Sequence, residues 1–264
     1  MILITGASGH LASLVTQKAQ ARGLPIITAS RSQGFDRQMD FDNPATLDFT
    51  DVDILFLTSA GYAEDDVVMQ RHGNVIAAAR SQGVRHIVYT SLSGSSDHLG
   101  FALAHRWTER QLQASGMTWT ILRNGLYAEL IGALATPHDG HITAPLGATG
   151  ISAVARDDLA TAAVTVLADA AIHANTCYEL SGTTSFSLAE LAYCIGADYQ
   201  PTRLAVERAR LGKLPLLPFQ PSMLMSIYAS AIGGFLETST SDLSALVPQP
   251  KNALTIACAV AQGN

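Results

Sequence analysis

The segment Thr5-Gly6-Ala7-Ser8-Gly9-His10-Leu11-Ala12 constrains this chain more than any other feature. Before it, Ile2 to Thr5 is a short apolar run that reads as a buried parallel strand. After it, His10 to Arg22 has helical spacing, with Leu11, Leu14, Val15 and Ala19 on one side and Gly23 as a natural stop. Leu24 to Ala29 reads as a second strand, which closes a strand–helix–strand unit. In that setting Gly6 permits a tight turn and Gly9 lets backbone approach a pyrophosphate. Ala12 stands where a third small residue packs helix against strand. The free N–H groups at the helix start supply an anion site.

The alternation continues. A short third strand is expected within Arg37 to Phe41, a strand at Asp53 to Leu57, a helix from Asp66 to Gln82 and a strand at His86 to Tyr89. A helix over Ala102 to Ala114 and a strand at Thr118 to Leu122 follow, then a helix over Asp157 to Ala168 and a strand at Cys177 to Leu180. Ser187-Leu188-Ala189-Glu190 is a capping box that opens a further helix. Strands alternating with helices predict an α/β fold, a Rossmann doubly wound parallel sheet with a smaller, mostly helical C-terminal lobe. The expected division is a dinucleotide-binding domain over 1–150 and a substrate-covering lobe over 151–264, with strands of the second part free to return to the main sheet.

Composition narrows the class. With 48% hydrophobic and 14% charged residues the chain is globular. A net charge of -6 gives no electrostatic reason to bind nucleic acid or an anionic membrane. The start, Met1-Ile2-Leu3-Ile4-Thr5-Gly6, lacks a charged region and cleavage site, and Met223 to Leu236 falls short of a membrane span. A cytoplasmic protein is expected. Cys177, Cys194 and Cys258 are far apart and read as buried, unpaired thiols. No histidine has Cys or carboxylate neighbours at metal-ligand spacing, so no metal is expected.

The second strand selects the cofactor. A carboxylate roughly 20 residues beyond the glycines holds the ribose 2′-OH in sites for NAD. Here the strand ends Thr28-Ala29-Ser30-Arg31-Ser32, and Arg31 can pair with a 2′-phosphate, which favours NADP(H). Asp40 is placed to meet the adenine amino group, and Thr58 and Ser59 leave room for cofactor ribose at the sheet's carboxyl edge. None of the 7 tyrosines has a lysine four residues later, so ketone reduction through a Tyr–Lys pair is excluded. Near the carboxyl edge remain Ser91, His105 and Asn124-Gly125-Leu126-Tyr127. His105, with an ordinary pKa near neutrality, is the candidate proton donor. Tyr127 is the candidate for stacking on a flat acceptor or on nicotinamide. His72 reads as structural.

Taken together, Ile4-Thr5-Gly6-Ala7-Ser8-Gly9-His10-Leu11, Arg31, Tyr89-Thr90-Ser91 and Leu122-Arg123-Asn124-Gly125-Leu126-Tyr127 resemble the NmrA-like atypical short-chain dehydrogenases. Within that group the likeness is greatest to NADPH-dependent quinone oxidoreductases of the bacterial QorB type, and triphenylmethane dye reductases are similar over the Leu-Arg-Asn and His105 region. The resemblance implies cofactor contacts at Gly6, Ser8, Gly9, His10, Leu11, Arg31, Thr58, Ser59, Asn124, Gly125 and Tyr127. Ala12 departs from the family's usual third glycine, and Arg110 stands where relatives often carry lysine.

The expected activity is NADPH-dependent hydride transfer to a quinone or similar conjugated small molecule. The alternative is a non-catalytic NADP(H)-sensing regulator of the NmrA type that binds a protein partner. A homodimer is left open.

Overall fold

The computed structural model describes residues 1–263. Its first part runs β1 (Ile2–Thr5), α1 (His10–Ala21), β2 (Ile26–Ser30), β3 (Arg37–Gln38), β4 (Ile54–Leu57), α2 (Asp65–Ser81), β5 (His86–Leu92), α3 (Ala102–Ala114) and β6 (Thr118–Asn124). Then follow α4 (Ala128–Leu134), β7 (His141–Ile142), α5 (Arg156–Ala168), β8 (Thr176–Leu180), α6 (Leu188–Ile195) and β9 (Asp198–Tyr199). The chain ends with α7 (Leu204–Leu211), α8 (Gln220–Ile232), α9 (Leu243–Leu246) and α10 (Ala253–Ala261).

Seven strands form one sheet in the order β3-β2-β1-β4-β5-β6-β8, with every named pairing parallel. The order reverses between β1 and β4, and a crevice opens there at the carboxyl ends of the strands. Alternation along the strands divides the core. Ile2, Ile4, Phe56 and Val88 pack with α1 and α5, while Leu3, Leu55, Leu57, Ile87 and Tyr89 pack with α2 and α3. A third apolar cluster joins α4 to α6, α8 and α10, and the small sheet β7-β9 lies in the same region.

Three details differ from the sequence reading. β5 and β6 extend to Leu92 and Asn124, because their ladder continues through Thr90↔Leu122, Ser91↔Arg123 and Leu92↔Asn124. Polar residues at a carboxyl end hide a strand from a hydrophobic pattern, and these are the residues that line the crevice. β8, from the C-terminal part, returns to the main sheet beside β6. The expectation of unpaired thiols fails at Cys194 and Cys258, which form a disulfide because α6 and α10 pack side by side with the two Cα atoms 6.5 Å apart. Cys177 is free and half-buried.

The capping box is present as read, with Ser187 and Glu190 bonded reciprocally. Met223 to Ile232 belongs to α8, and among the described residues no helix is long and apolar enough to cross a membrane.

Candidate active site

The turn after β1 is built as its glycines require. Gly6 has φ +64°, a conformation only glycine adopts cheaply, and a Cβ there would also press on Thr58 at 3.4 Å. The Gly9 N–H donates to the Gly6 carbonyl at 2.8 Å. α1 then starts without any side-chain cap, so the N–H groups of its first turn are left for an anion. Ala12 is fully buried, which fits a small residue at the helix–sheet contact.

Across the crevice, the segment after β4 is pinned at successive residues. The Thr58 hydroxyl donates to the Thr5 carbonyl at 2.9 Å, the Ser59 N–H donates to Thr90 Oγ1 at 2.9 Å, and the Ala60 N–H donates to His72 Nε2 at 2.9 Å. His72 is thus structural, as read, and its structural task is to fix this segment.

Two cavities share that segment. The first, of about 380 Å³, is lined by Gly6, Ser8, Gly9, Arg31, Asp40 and Ser59 among others. The second, of about 290 Å³, includes Ser91, His105, Asn124, Gly125, Tyr127 and again Ser59. Thr58, Ser59, Gly61 and Tyr62 line both, so the two are halves of one cleft. His10 and Leu11 do not line it. His10 is exposed, and Leu11 packs with the α1–α5 core, leaving only their backbone near the turn.

The cleft's polar groups divide into satisfied and unsatisfied ones. In the first cavity Arg71 is held by Asp42 through two bonds of 2.8 and 2.7 Å. The Arg31 guanidinium, exposed at the same cavity, makes no side-chain hydrogen bond or ion pair among the described residues. Where the cavities meet and beyond, Ser59 Oγ and Asn124 Oδ1 are buried with no hydrogen-bond partner. Buried polar atoms are rarely left so, because each costs about 1–3 kcal/mol. An unpaired guanidinium at one end, an uncapped helix in the middle and two orphaned acceptors toward the other end match the polar inventory of an NADP(H) molecule. Gly125 completes the second cavity's floor, where a Cβ would meet Ser181 Cα at 3.2 Å.

The second cavity has no charged side chain in its lining, which includes Phe101, Leu126, Leu130 and Met223. Beneath it lies an ion network that the sequence reading missed. Glu109, on α3, accepts from the Ser91 hydroxyl at 2.6 Å, from Arg106 at 2.7 Å and from Arg123 at 2.9 and 2.6 Å. Arg123 also donates to Glu179 at 2.9 Å, and Glu179 takes the Gly94 N–H at 2.8 Å. Burial alone would raise the Glu109 pKa, but the bonds from Arg123 and Ser91 hold it below the ordinary value. These partners are separated by 14 to 56 residues, so only the strand order brings them together.

His105 differs from its expectation. Burial, followed by the charge of Arg106, lowers its pKa from 6.5 to about 4, so at neutral pH it presents a neutral ring. Tyr127 precedes α4, lines the second cavity, and has the Arg156 guanidinium over its ring at 5.0 Å. Burial raises its phenol pKa, so it keeps its proton.

A family described as NAD(P)H-binding matches over residues 6–170. Quinone oxidoreductase 2 of Escherichia coli (strain K12) is 32% identical over 277 aligned residues, covering 96% of each chain. The NAD(P)H azoreductase of Xenophilus azovorans is 29% identical over 75% of this chain and 73% of its own. Among solved structures, Citrobacter sp. triphenylmethane reductase complexed with NADP(H) superposes with a TM-score of 0.88 at 27% identity, covering 98% of this chain and 99% of the other. The NADPH complex of the Escherichia coli quinone oxidoreductase gives a TM-score of 0.86 at 32% identity, covering 99% of each.

Two outcomes test this account of the site. Glu109→Ala leaves two guanidinium groups without their shared carboxylate and is expected to lower unfolding stability by about 3 kcal/mol; an unchanged urea midpoint would show the network to be incidental. Stability should also fall in mild acid. The folded chain holds His72, His86 and His105 at pKa values of about 3, 4 and 4, against 6.5 as the ordinary value. Below 6.5 the unfolded chain therefore binds more protons, and stability is lost as pH falls from 6.5 toward 4. Urea midpoints that stay level across that window would contradict the burial of neutral histidines.

Proposed function

We propose that this chain, which belongs to the NAD(P)H-binding family, takes NADPH and reduces a quinone or a similar flat, conjugated acceptor. That it is an NAD(P)H-dependent oxidoreductase follows from the family and from reductase relatives aligned over nearly its whole length. The observation that carries the acceptor class is the uncharged lining of the second cavity, beside the orphaned Ser59 and Asn124. A charged acceptor would lose its hydration there with no counter-charge to replace it, whereas a neutral ring system gains from apolar contact. The names of the relatives, a quinone oxidoreductase, an azoreductase and a triphenylmethane dye reductase, support the same chemistry of extended conjugated acceptors.

In this reading Arg31 pairs with the 2′-phosphate, and the turn from Gly6 to Gly9 with the first turn of α1 cradles the pyrophosphate. Ser59 and Asn124 take polar groups of the nicotinamide–ribose half. When bound, NADPH supplies a hydride at its nicotinamide ring. The chain's own part is mainly orientation: Phe101, Leu126, Leu130, Met223 and the Tyr127 ring confine a flat acceptor and exclude water. His105 is the neutral polar group facing it. Reduction of such an acceptor calls for no Tyr–Lys pair. A cavity of this kind also serves no purpose in a non-catalytic sensor, and no observation favours that alternative.

The test is oxidation of NADPH, followed by the cofactor's own absorbance, with a panel of benzoquinones and naphthoquinones. Turnover with NADPH is expected; firm NADPH binding with no turnover on any member would overturn the acceptor assignment. Arg31→Ala is expected to lower kcat/KM for NADPH about 10- to 100-fold, the worth of a charge-assisted bond, and to leave NADH nearly unaffected. Equal losses with both cofactors would remove Arg31 from the 2′-phosphate.

A further inference from the structure

Two histidines flank the fully buried ring of Tyr89, and their hydrogen bonds give them opposite tautomers. His72 makes an edge contact with the Tyr89 ring at 5.5 Å between centroids, and His105 lies tilted to it at 6.0 Å. Because the Ala60 N–H donates to His72 Nε2, that nitrogen carries no proton. Its Nδ1 therefore donates to Thr108 Oγ1 at 2.8 Å, and the Thr108 hydroxyl passes its own proton to the Ala104 carbonyl at 2.8 Å. Every proton on this side has an acceptor.

On the other side Tyr89 Oη lies 2.9 Å from His105 Nδ1, and this is the tyrosine hydroxyl's one hydrogen bond among the described residues. Were the imidazole proton on Nδ1, the hydroxyl hydrogen would be buried with nothing to receive it, at a cost of about 1–3 kcal/mol. With the hydroxyl donating to Nδ1, both groups are satisfied and the imidazole proton sits on Nε2. Nε2 makes no protein hydrogen bond among the described residues, on a side chain that lines the acceptor cavity. The opposite transfer is closed as well. Burial raises the Tyr89 phenol far above its ordinary pKa, so it keeps its proton, and burial lowers His105 to about 4, so it takes up no second one at neutral pH.

We propose that Tyr89 is a positioning residue that holds His105 as a neutral imidazole with its proton on Nε2, a fixed hydrogen-bond donor to the acceptor's carbonyl oxygen. This rests on the acceptor reading given above. In reduction the acceptor gains a hydride, negative charge collects on its oxygen, and a proton from solvent completes the hydroquinone. His105 keeps its proton throughout and acts by stabilising that charge. The titratable groups facing it are Tyr89 from β5, His72 from α2, and Arg106 and Glu109 from its own helix. None of these is expected to change charge between about pH 6 and 8, where an ordinary histidine would.

The test reads the tautomer and the rate separately. In protein labelled with nitrogen-15 in histidine, with no cofactor or acceptor added, His105 should show an unprotonated Nδ1 and a protonated Nε2. A proton on Nδ1 overturns the proposal whatever the acceptor proves to be. Tyr89→Phe removes only the hydroxyl; it is expected to mix the two His105 tautomers and lower kcat about 10-fold, with the KM for NADPH unchanged. His105→Gln, whose amide can donate from the Nε2 position, should retain more turnover than His105→Leu. A Tyr89→Phe enzyme with unchanged kcat, or a kcat that titrates near pH 6.5 only when His105 is present, would overturn the proposal. An Nε2–H tautomer in a protein that reduces no quinone would instead sink the acceptor reading alone.

Discussion

The Glu109 carboxylate, bound by Arg106, Arg123 and the Ser91 hydroxyl, is the interaction on which the site depends. It ties α3 to the ends of β5 and β6, and through Arg123 and Glu179 it reaches β8. These strand ends carry Ser91, Asn124 and Gly125, so the second cavity has its floor on a braced platform. A buried ion pair of this kind adds little net stability over an apolar replacement. What it contributes here is position, since it fixes the carboxyl ends of strands whose polar residues could otherwise point elsewhere.

Above the platform the cleft separates recognition from chemistry. Recognition of the dinucleotide uses groups left unpaired by the fold: an exposed guanidinium, an uncapped helix and two buried acceptors. The chemical end contains no ionised side chain in its lining. A neutral His105 and a protonated Tyr127 are direct results of burial, and they suit an enzyme that positions a hydride acceptor without trading protons with it.

How much of this was legible in the sequence follows from the range of each interaction. The glycine turn, Arg31 and the Asn124-Gly125 corner are local features, and periodicity around them predicts the sheet, its strand order being confirmed in the structure. Leu92 and Asn124 as strand ends were not legible, because ladder partners rather than apolar character decide them. Glu109, Arg123 and Glu179 looked like ordinary charges until the sheet aligned them. Met223 and Phe101 reach the cavity from separate elements, and the Cys194–Cys258 pair needed the packing of two distant helices. The neutral state of His105 is a property of burial, which residue identity does not reveal.

The most direct test of the central claim, that the unpaired groups form one dinucleotide site, is a crystal structure of this protein with NADPH bound. The account predicts the 2′-phosphate within hydrogen-bond distance of Arg31, the pyrophosphate on the first turn of α1, and Ser59 Oγ and Asn124 Oδ1 each newly paired with the cofactor. A dinucleotide that leaves Ser59 and Asn124 unpaired, or that lies with its nicotinamide away from the cavity lined by His105, would contradict it.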